Sequence, residues 1–134
     1  MGADGWVFVT LHFSGPVTRR DPASWRHVVA TADWINHGIL SYEELTVGVR
    51  TLARRGLLTK RGQGAAEVIV LTAVARKGLA AAYGARKRLG VFKLWEAGER
   101  LIAAQRERPS TVRGPAPTVY ARALALYGVR PDQA

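Results

Sequence analysis

Few side chains in the sequence are arranged for catalysis. His12, His27 and His37 lack the spacing of metal ligands, and none has a serine and a carboxylate nearby that would suggest a catalytic triad. The absence of cysteine excludes a thiol nucleophile, a disulfide framework and thiolate zinc sites. The Gly-Gln-Gly run at 62–64 lacks the Lys-Ser/Thr pair and the longer spacing of a phosphate loop. We therefore expect no enzyme activity, no metal and no cofactor.

Binding chemistry is indicated instead by polar and cationic side chains on one predicted helix and one predicted hairpin. The helix presents cations on the face opposite its buried stripe, and the hairpin places them at a glycine-rich tip. Such groups neutralise phosphates, and arginine also forms bidentate hydrogen bonds to base edges. Tyr42 suits either packing within the protein or contact with nucleic acid. The candidate nucleic-acid-binding residues are Tyr42, Thr46, Arg50, Arg54, Arg55, Lys60, Arg61 and Gln63.

The overall charge favours a polyanionic partner. The 134 residues include 20 Lys and Arg against 10 Asp and Glu, a formal net charge of +10. Basicity alone does not separate nucleic-acid binders from ribosomal proteins, membrane-surface binders or well-solvated proteins. The hydrophobic fraction of 48% and the charged fraction of 22% are typical of a globular chain. We expect one domain with an appendage.

The first apolar stretch, Trp6 to Phe13, is much shorter than the ~20 residues of a membrane span and follows no positive leader. It suits either a buried strand or a short core helix, and we favour the helix. The sequence predicts no signal peptide, no membrane partner and a cytoplasmic location. A polar connector carrying Arg19 and Arg20 follows, bounded by turn-forming residues.

The sequence predicts two helices after the connector. Ser24 is the expected N-cap of the first, and Gly38 suits a left-handed cap at its end. Ser41 and Glu44 have the spacing of a capping box at the start of the second, which Gly56 ends. Its buried stripe is predicted to comprise Leu45, Val49, Leu52 and Ala53.

The remaining pattern predicts a β-hairpin from Leu57 to Leu71 with a flexible basic tip, and then a helix capped by Thr72. A long amphipathic helix follows from Val91 to about Arg106, then a Pro/Gly-rich linker and a last helix over Val119 to Tyr127. We therefore divide the chain into 1–88, a core; 89–108, a long C-terminal helix; and 109–134, a linker with a short terminal helix that is either docked or loosely tethered.

Residues 24–83 resemble the winged helix-turn-helix domains of bacterial transcriptional regulators. The resemblance is strongest in two runs, SYEELTVGVRTLARRGLL and VIVLTAVARKGL. It implies a mainly α fold with a small β-hairpin wing, a recognition helix that begins at Ser41, and a wing from Leu57 to Leu71. It also implies a regulator that inserts this helix in the major groove of double-stranded DNA. The longer segment before Ser41 and the chain after Tyr83 depart from the family pattern.

Each of these features also has an alternative interpretation. Exposed arginines are often only a solvated helix face, and Glu43 and Glu44 lie near the end expected to approach phosphates. A second basic cluster, Arg76, Lys77 and residues 86–88, suits either phosphate contact or solubility. The turn string at 33–37 suits either a structural corner or a ligand site.

Two other functions fit the same pattern. One is a winged-helix protein-interaction module without DNA binding, for which Glu43, Glu44 and Trp34 are the supporting residues. The other is an RNA-associated or ribosome-associated basic protein, which the charge allows equally. A homodimer is expected if the apolar stripe of the 89–108 helix, with Leu94, Trp95, Leu101 and Ile102, pairs subunits instead of closing the core.

Overall fold

The structure, a computed structural model, describes residues 2–84 and 90–130, without the side chains of residues 83 and 84. Within these ranges the chain is mainly helical with a small antiparallel sheet, which confirms the predicted fold class. The helices are α1 (Ala3–Ser14), α2 (Pro22–Asn36), α3 (Tyr42–Arg54), α4 (Ala73–Gly84), α5 (Val91–Ala104) and α6 (Pro117–Tyr127). The strands are β1 (Val17–Thr18), β2 (Leu58–Arg61) and β3 (Val68–Leu71).

Helix α1 lies at the centre of the core. Seven consecutive residues, from Gly5 to Leu11, are buried, which explains why the sequence carries no clear period at this position. Helix α3 can approach α1 closely because position 48 is glycine: a Cβ there would lie 2.6 Å from Cγ2 of Val7. No helix in the described ranges, α1 included, has the length and apolar character needed to cross a membrane.

Helix α2 begins earlier than predicted. Its N-cap is Asp21, whose side chain accepts a hydrogen bond from the Ala23 amide, and Pro22 takes the first helical position. Ser24 is not the cap; its hydroxyl oxygen instead accepts from the Thr18 amide at 2.9 Å and holds the connector. The left-handed residue at the helix end is His37 (φ 52°), not Gly38, so the 33–37 string forms a helix end.

Helix α3 is bounded as the sequence predicts. The capping box is complete, because Ser41 Oγ accepts from the Glu44 amide at 3.0 Å and Glu44 Oε1 accepts from the Ser41 amide at 2.9 Å. Gly56, at φ 70°, adopts the left-handed conformation after the last turn. The predicted stripe is buried, and the opposite face of α3 is thereby held away from the core.

The predicted hairpin is present, and it belongs to a larger sheet than expected. Strands β2 and β3 pair antiparallel with Leu58 opposite Leu71, and a short 3-10 turn, Gly64–Ala66, interrupts the tip. The sheet order is β1-β3-β2, since β1 pairs with the free edge of β3. The segment predicted only as a polar connector therefore contributes a third strand, of two residues, and this strand fixes the position of Arg19 directly after it.

The C-terminal helices pack into the same core as α1 to α4. Helix α5 ends at Ala104 rather than near Arg106, and α6 begins two residues before the predicted start, at Pro117. Leu94, Trp95 and Ile102 are buried within the chain and Leu101 is partly buried, so the stripe behind the homodimer prediction closes the core. The homodimer stays a prediction. Residues 86–88 of the second basic cluster lie outside the described residues.

The last helix, α6, is docked on the rest of the chain. Tyr120 on α6 is buried, and its hydroxyl donates to the Leu40 carbonyl at 2.6 Å. Burial raises the pKa of Tyr120, and the nearby Glu44 carboxylate raises it further, so the hydroxyl stays protonated as a donor. On the last turn of α6, the Tyr127 hydroxyl donates to Asp33 Oδ2 at 2.7 Å. These two bonds tie α6 to the residues on either side of the α2 end.

Candidate nucleic-acid interface

Four residues of α3 follow one another at four-residue spacing on the face away from the core. Tyr42, Thr46, Arg50 and Arg54 therefore form one stripe along the helix. All four line the same wall of a cleft, whose opposite wall is formed by Ser110 and residues 112–117. The face of α3 that the sequence predicts to contact nucleic acid is thus opposed by another segment of the same chain.

The opposing segment is residues 105–116, which connect α5 to α6 and which we call the strap. Two hydrogen bonds attach its N-terminal end to the end of α3. Arg55 Nη1 donates to the Gln105 carbonyl, and the Arg108 amide donates to the Arg54 carbonyl, both at 2.7 Å. These bonds satisfy backbone groups at the C-terminus of α3 and in the strap. They therefore fix the point at which the strap begins to run along α3.

Two more hydrogen bonds attach the C-terminal end of the strap. The Tyr42 hydroxyl donates to the Pro115 carbonyl at 2.8 Å, and Arg19 Nε donates to the Gly114 carbonyl at 3.0 Å. The glycine also packs on α3, because a Cβ at position 114 would lie 3.4 Å from Cγ2 of Thr46. Pro115 is buried. The strap is therefore held at both ends.

Between its attached ends the strap and α3 enclose a cleft of about 640 Å³. Its cationic lining residues are Arg19, Arg50, Arg54 and Arg113, and no carboxylate lines it among the described residues. Arg54 Nη1 lies 3.7 Å from Glu107 Oε1, but both side chains are more than half exposed. An exposed pair of this kind stabilises little, so Arg54 remains available to another anion.

A second cleft, of about 420 Å³, adjoins the first. It is lined by Arg19, Arg20, Lys60, Glu67, Thr111 and Arg113. Arg19 and Arg113 line both clefts, so the α3 stripe and the base of the hairpin belong to one continuous surface. Among the described residues, six cationic side chains and one carboxylate line the two clefts together. The carboxylate, Glu67 Oε2, lies 3.4 Å from Arg19 Nε. We call this surface, defined by the six cations Arg19, Arg20, Arg50, Arg54, Lys60 and Arg113, the cationic face.

The predicted site residues separate into two groups in the structure. Arg50, Arg54 and Lys60 are exposed on the cationic face, and Arg61 and Gln63 are exposed further along the hairpin. Tyr42, Thr46 and Arg55 instead contact the strap, Tyr42 and Arg55 by hydrogen bonds and Thr46 through its methyl group. The Thr46 hydroxyl donates to the Tyr42 carbonyl at 2.9 Å.

Three cationic residues of the face were not among the predicted site residues. Arg19 and Arg20 are in the connector before α2, and Arg113 is in the segment expected to be a linker. Such segments have no periodicity from which a face can be deduced, although their arginine content was visible. Among the described residues, no three His, Asp or Glu side chains are grouped to hold a metal ion.

Comparisons of the chain with protein-family models, with curated proteins and with solved structures gave no match. Function is therefore inferred from the cationic face and the elements that build it.

Proposed function

We propose that the protein binds double-stranded DNA through the cationic face, as a regulator built on a winged helix-turn-helix unit. The element order α1-β1-α2-α3-β2-β3 supports such a unit, with α3 as the helix nearest the nucleic acid and β2-β3 as the wing. The single observation that carries the proposal is that Arg19 and Arg113 join the α3 stripe to the hairpin. Six cations then face the phosphate backbone of DNA, and two carboxylates oppose them, Glu67 beside Arg19 and Glu107 beside Arg54.

The strap determines how a duplex approaches. The major groove is about 12 Å wide and an α-helix with side chains is about 10–12 Å in diameter, so α3 with the strap beside it is too wide to enter. With the strap attached, the cationic face contacts phosphates on the groove edges, and Lys60, Arg61 and Gln63 extend this contact along the hairpin. Insertion of α3, as the family resemblance implies, requires the strap to move away from Thr46.

Salt dependence is the first expected outcome. If about six phosphates are neutralised, the association constant falls with the logarithm of salt at a slope near −5, about a thousandfold between 50 and 200 mM. Fluorescence anisotropy of a labelled duplex at several salt concentrations measures this. The same titration with structured RNA as competitor separates DNA from RNA binding. Absence of duplex binding at 50 mM salt, or an affinity that salt leaves unchanged, contradicts the proposal.

One observation favours a second candidate, a protein-interaction module. The strap is itself an extended polypeptide bound along α3, with Tyr42 and Arg55 donating to its carbonyls. An acidic peptide from another protein has the same carbonyl acceptors and adds carboxylates that suit Arg50 and Arg54. This candidate predicts no duplex binding at low salt and saturable binding of a polyglutamate peptide.

A further inference from the structure

The cleft between α3 and the strap has the features of a site for a compact polyanion. We propose that it binds an oligophosphate group, either inorganic or at the end of a nucleotide, and that the bound anion competes with DNA for the arginines of α3. The anion site stands without the proposed function, whereas the competition depends on it.

Charge is the first reason. Arg19, Arg50, Arg54 and Arg113 line one cleft with no lining carboxylate among the described residues. Unbalanced like charges repel one another, and an anion placed among them removes that repulsion. Guanidinium groups also match phosphate oxygens in bidentate geometry, which a chloride ion cannot exploit. Two of the four are paired with carboxylates outside the lining, Arg19 with Glu67 at 3.4 Å and Arg54 with Glu107 at 3.7 Å, so the unbalanced charge is that of Arg50 and Arg113, which form no ion pair among the described residues.

Shape is the second reason. A cleft of about 640 Å³ falls within the range of small-molecule sites, roughly 300 to 1,000 Å³. The strap bridges α3 and is attached at both ends, so a duplex cannot pass beneath it, whereas a compact anion enters from the solvent side. The attached ends also hold the two walls at a fixed separation before any ligand binds, which reduces the entropy lost on binding.

The cleft extends along α3 beyond its arginines. Arg50 and Arg54 lie towards the C-terminal end of α3, while Tyr42 lies at its N-terminal end, where its hydroxyl donates to the Pro115 carbonyl. Eight residues of helix separate Tyr42 from Arg50, a distance of about 12 Å. A phosphate chain on the arginines of α3 therefore leaves room for an organic group beside Tyr42, which makes a nucleotide possible as well as free oligophosphate.

Calorimetric titration with tripolyphosphate at matched ionic strength tests the site. We expect saturable binding to the wild-type chain, weakened about tenfold or more by Arg50→Ala and by Arg113→Ala. Arg26→Ala and Arg100→Ala are the controls, since they remove equal charge from α2 and α5, outside the lining residues, and should retain near wild-type affinity. Equal losses in all four variants, or no saturable binding to wild type, overturn the proposal.

Further measurements keep the two proposals separate. Thermal unfolding of each variant verifies that it folds, and Arg113→Lys, which keeps the charge, provides a second variant that should lose less affinity than Arg113→Ala.

Titration with adenosine triphosphate distinguishes the two sources of the phosphate group: tighter binding than tripolyphosphate indicates the nucleotide, and weaker binding indicates the inorganic chain. Displacement of a bound duplex by tripolyphosphate supports competition. If tripolyphosphate binds through Arg50 but no duplex binds, the site stands and the DNA proposal fails; if a duplex binds and tripolyphosphate does not, the reverse holds.

Discussion

Reversing the charge of Arg50 and Arg54 together should weaken duplex binding by at least about a hundredfold at fixed salt. Each arginine is exposed on the cationic face, where it is available for a charge-assisted bond to phosphate worth about 1.5–3 kcal/mol. Glutamate at these positions also repels the phosphate backbone of the duplex. The salt slope should become shallower by about two units, one for each lost phosphate contact. Anisotropy titration of Arg50→Glu/Arg54→Glu against the same duplex measures both quantities.

A control with the same change in net charge separates location from total charge. Arg26→Glu/Arg100→Glu also reverses two exposed arginines, on α2 and α5, outside the lining of both clefts. We expect it to weaken binding by less than about tenfold, through the long-range field alone. Equal losses in the two double variants would show that only net charge matters, and the cationic face would then have no specific role.

Replacing Phe8 by alanine should lower the free energy of unfolding by about 3–5 kcal/mol. Phe8 is fully buried on α1, and its ring packs against α5, where a Cβ at Gly98 would lie 3.3 Å from Cδ2. The substitution leaves a cavity where α1 meets α5. Because whole domains are stabilised by only about 5–15 kcal/mol, the variant should unfold at a much lower denaturant concentration.

The matched control for this prediction lies on the same helix. Phe13 is 40% exposed and contacts Trp34, which is 65% exposed, so Phe13→Ala should cost no more than about 1 kcal/mol. Urea denaturation of both variants, followed by circular dichroism, measures the difference. Similar costs for the two substitutions would mean that α1 is not the central element of the core.

The parts of the fold with strong local patterns could be predicted from sequence. Ser41 and Glu44 define the start of α3 through hydrogen bonds between residues three apart, and Gly56 ends it through its own backbone. The N-terminal helix was ambiguous because a helix buried on all sides has no polar face to reveal its period. Strand β1 was missed since two residues are too few to carry a pattern, and it forms only against β3.

Only the part of the candidate site that follows from a local pattern could be predicted from sequence. The outward face of α3 follows from helical spacing, so Arg50 and Arg54 could be placed from sequence. The strap could not, because its position depends on bonds between residues far apart in the chain. Tyr42 and Pro115 are 73 residues apart, and Arg19 and Gly114 are 95 apart. The sequence therefore predicts that Tyr42 and Arg55 contact nucleic acid, whereas in the structure each donates a hydrogen bond to the strap.

The most direct test of the central claim is to map, by NMR, which amides respond when a short duplex is added to the isotope-labelled protein at low salt. Binding by the cationic face predicts that the largest shifts fall on α3 from Thr46 onward, on the strap around Arg113, and on the hairpin around Lys60. The exposed residues of α5 should change little. Shifts spread evenly over the surface, or concentrated on α5 and α2, would contradict binding by this face.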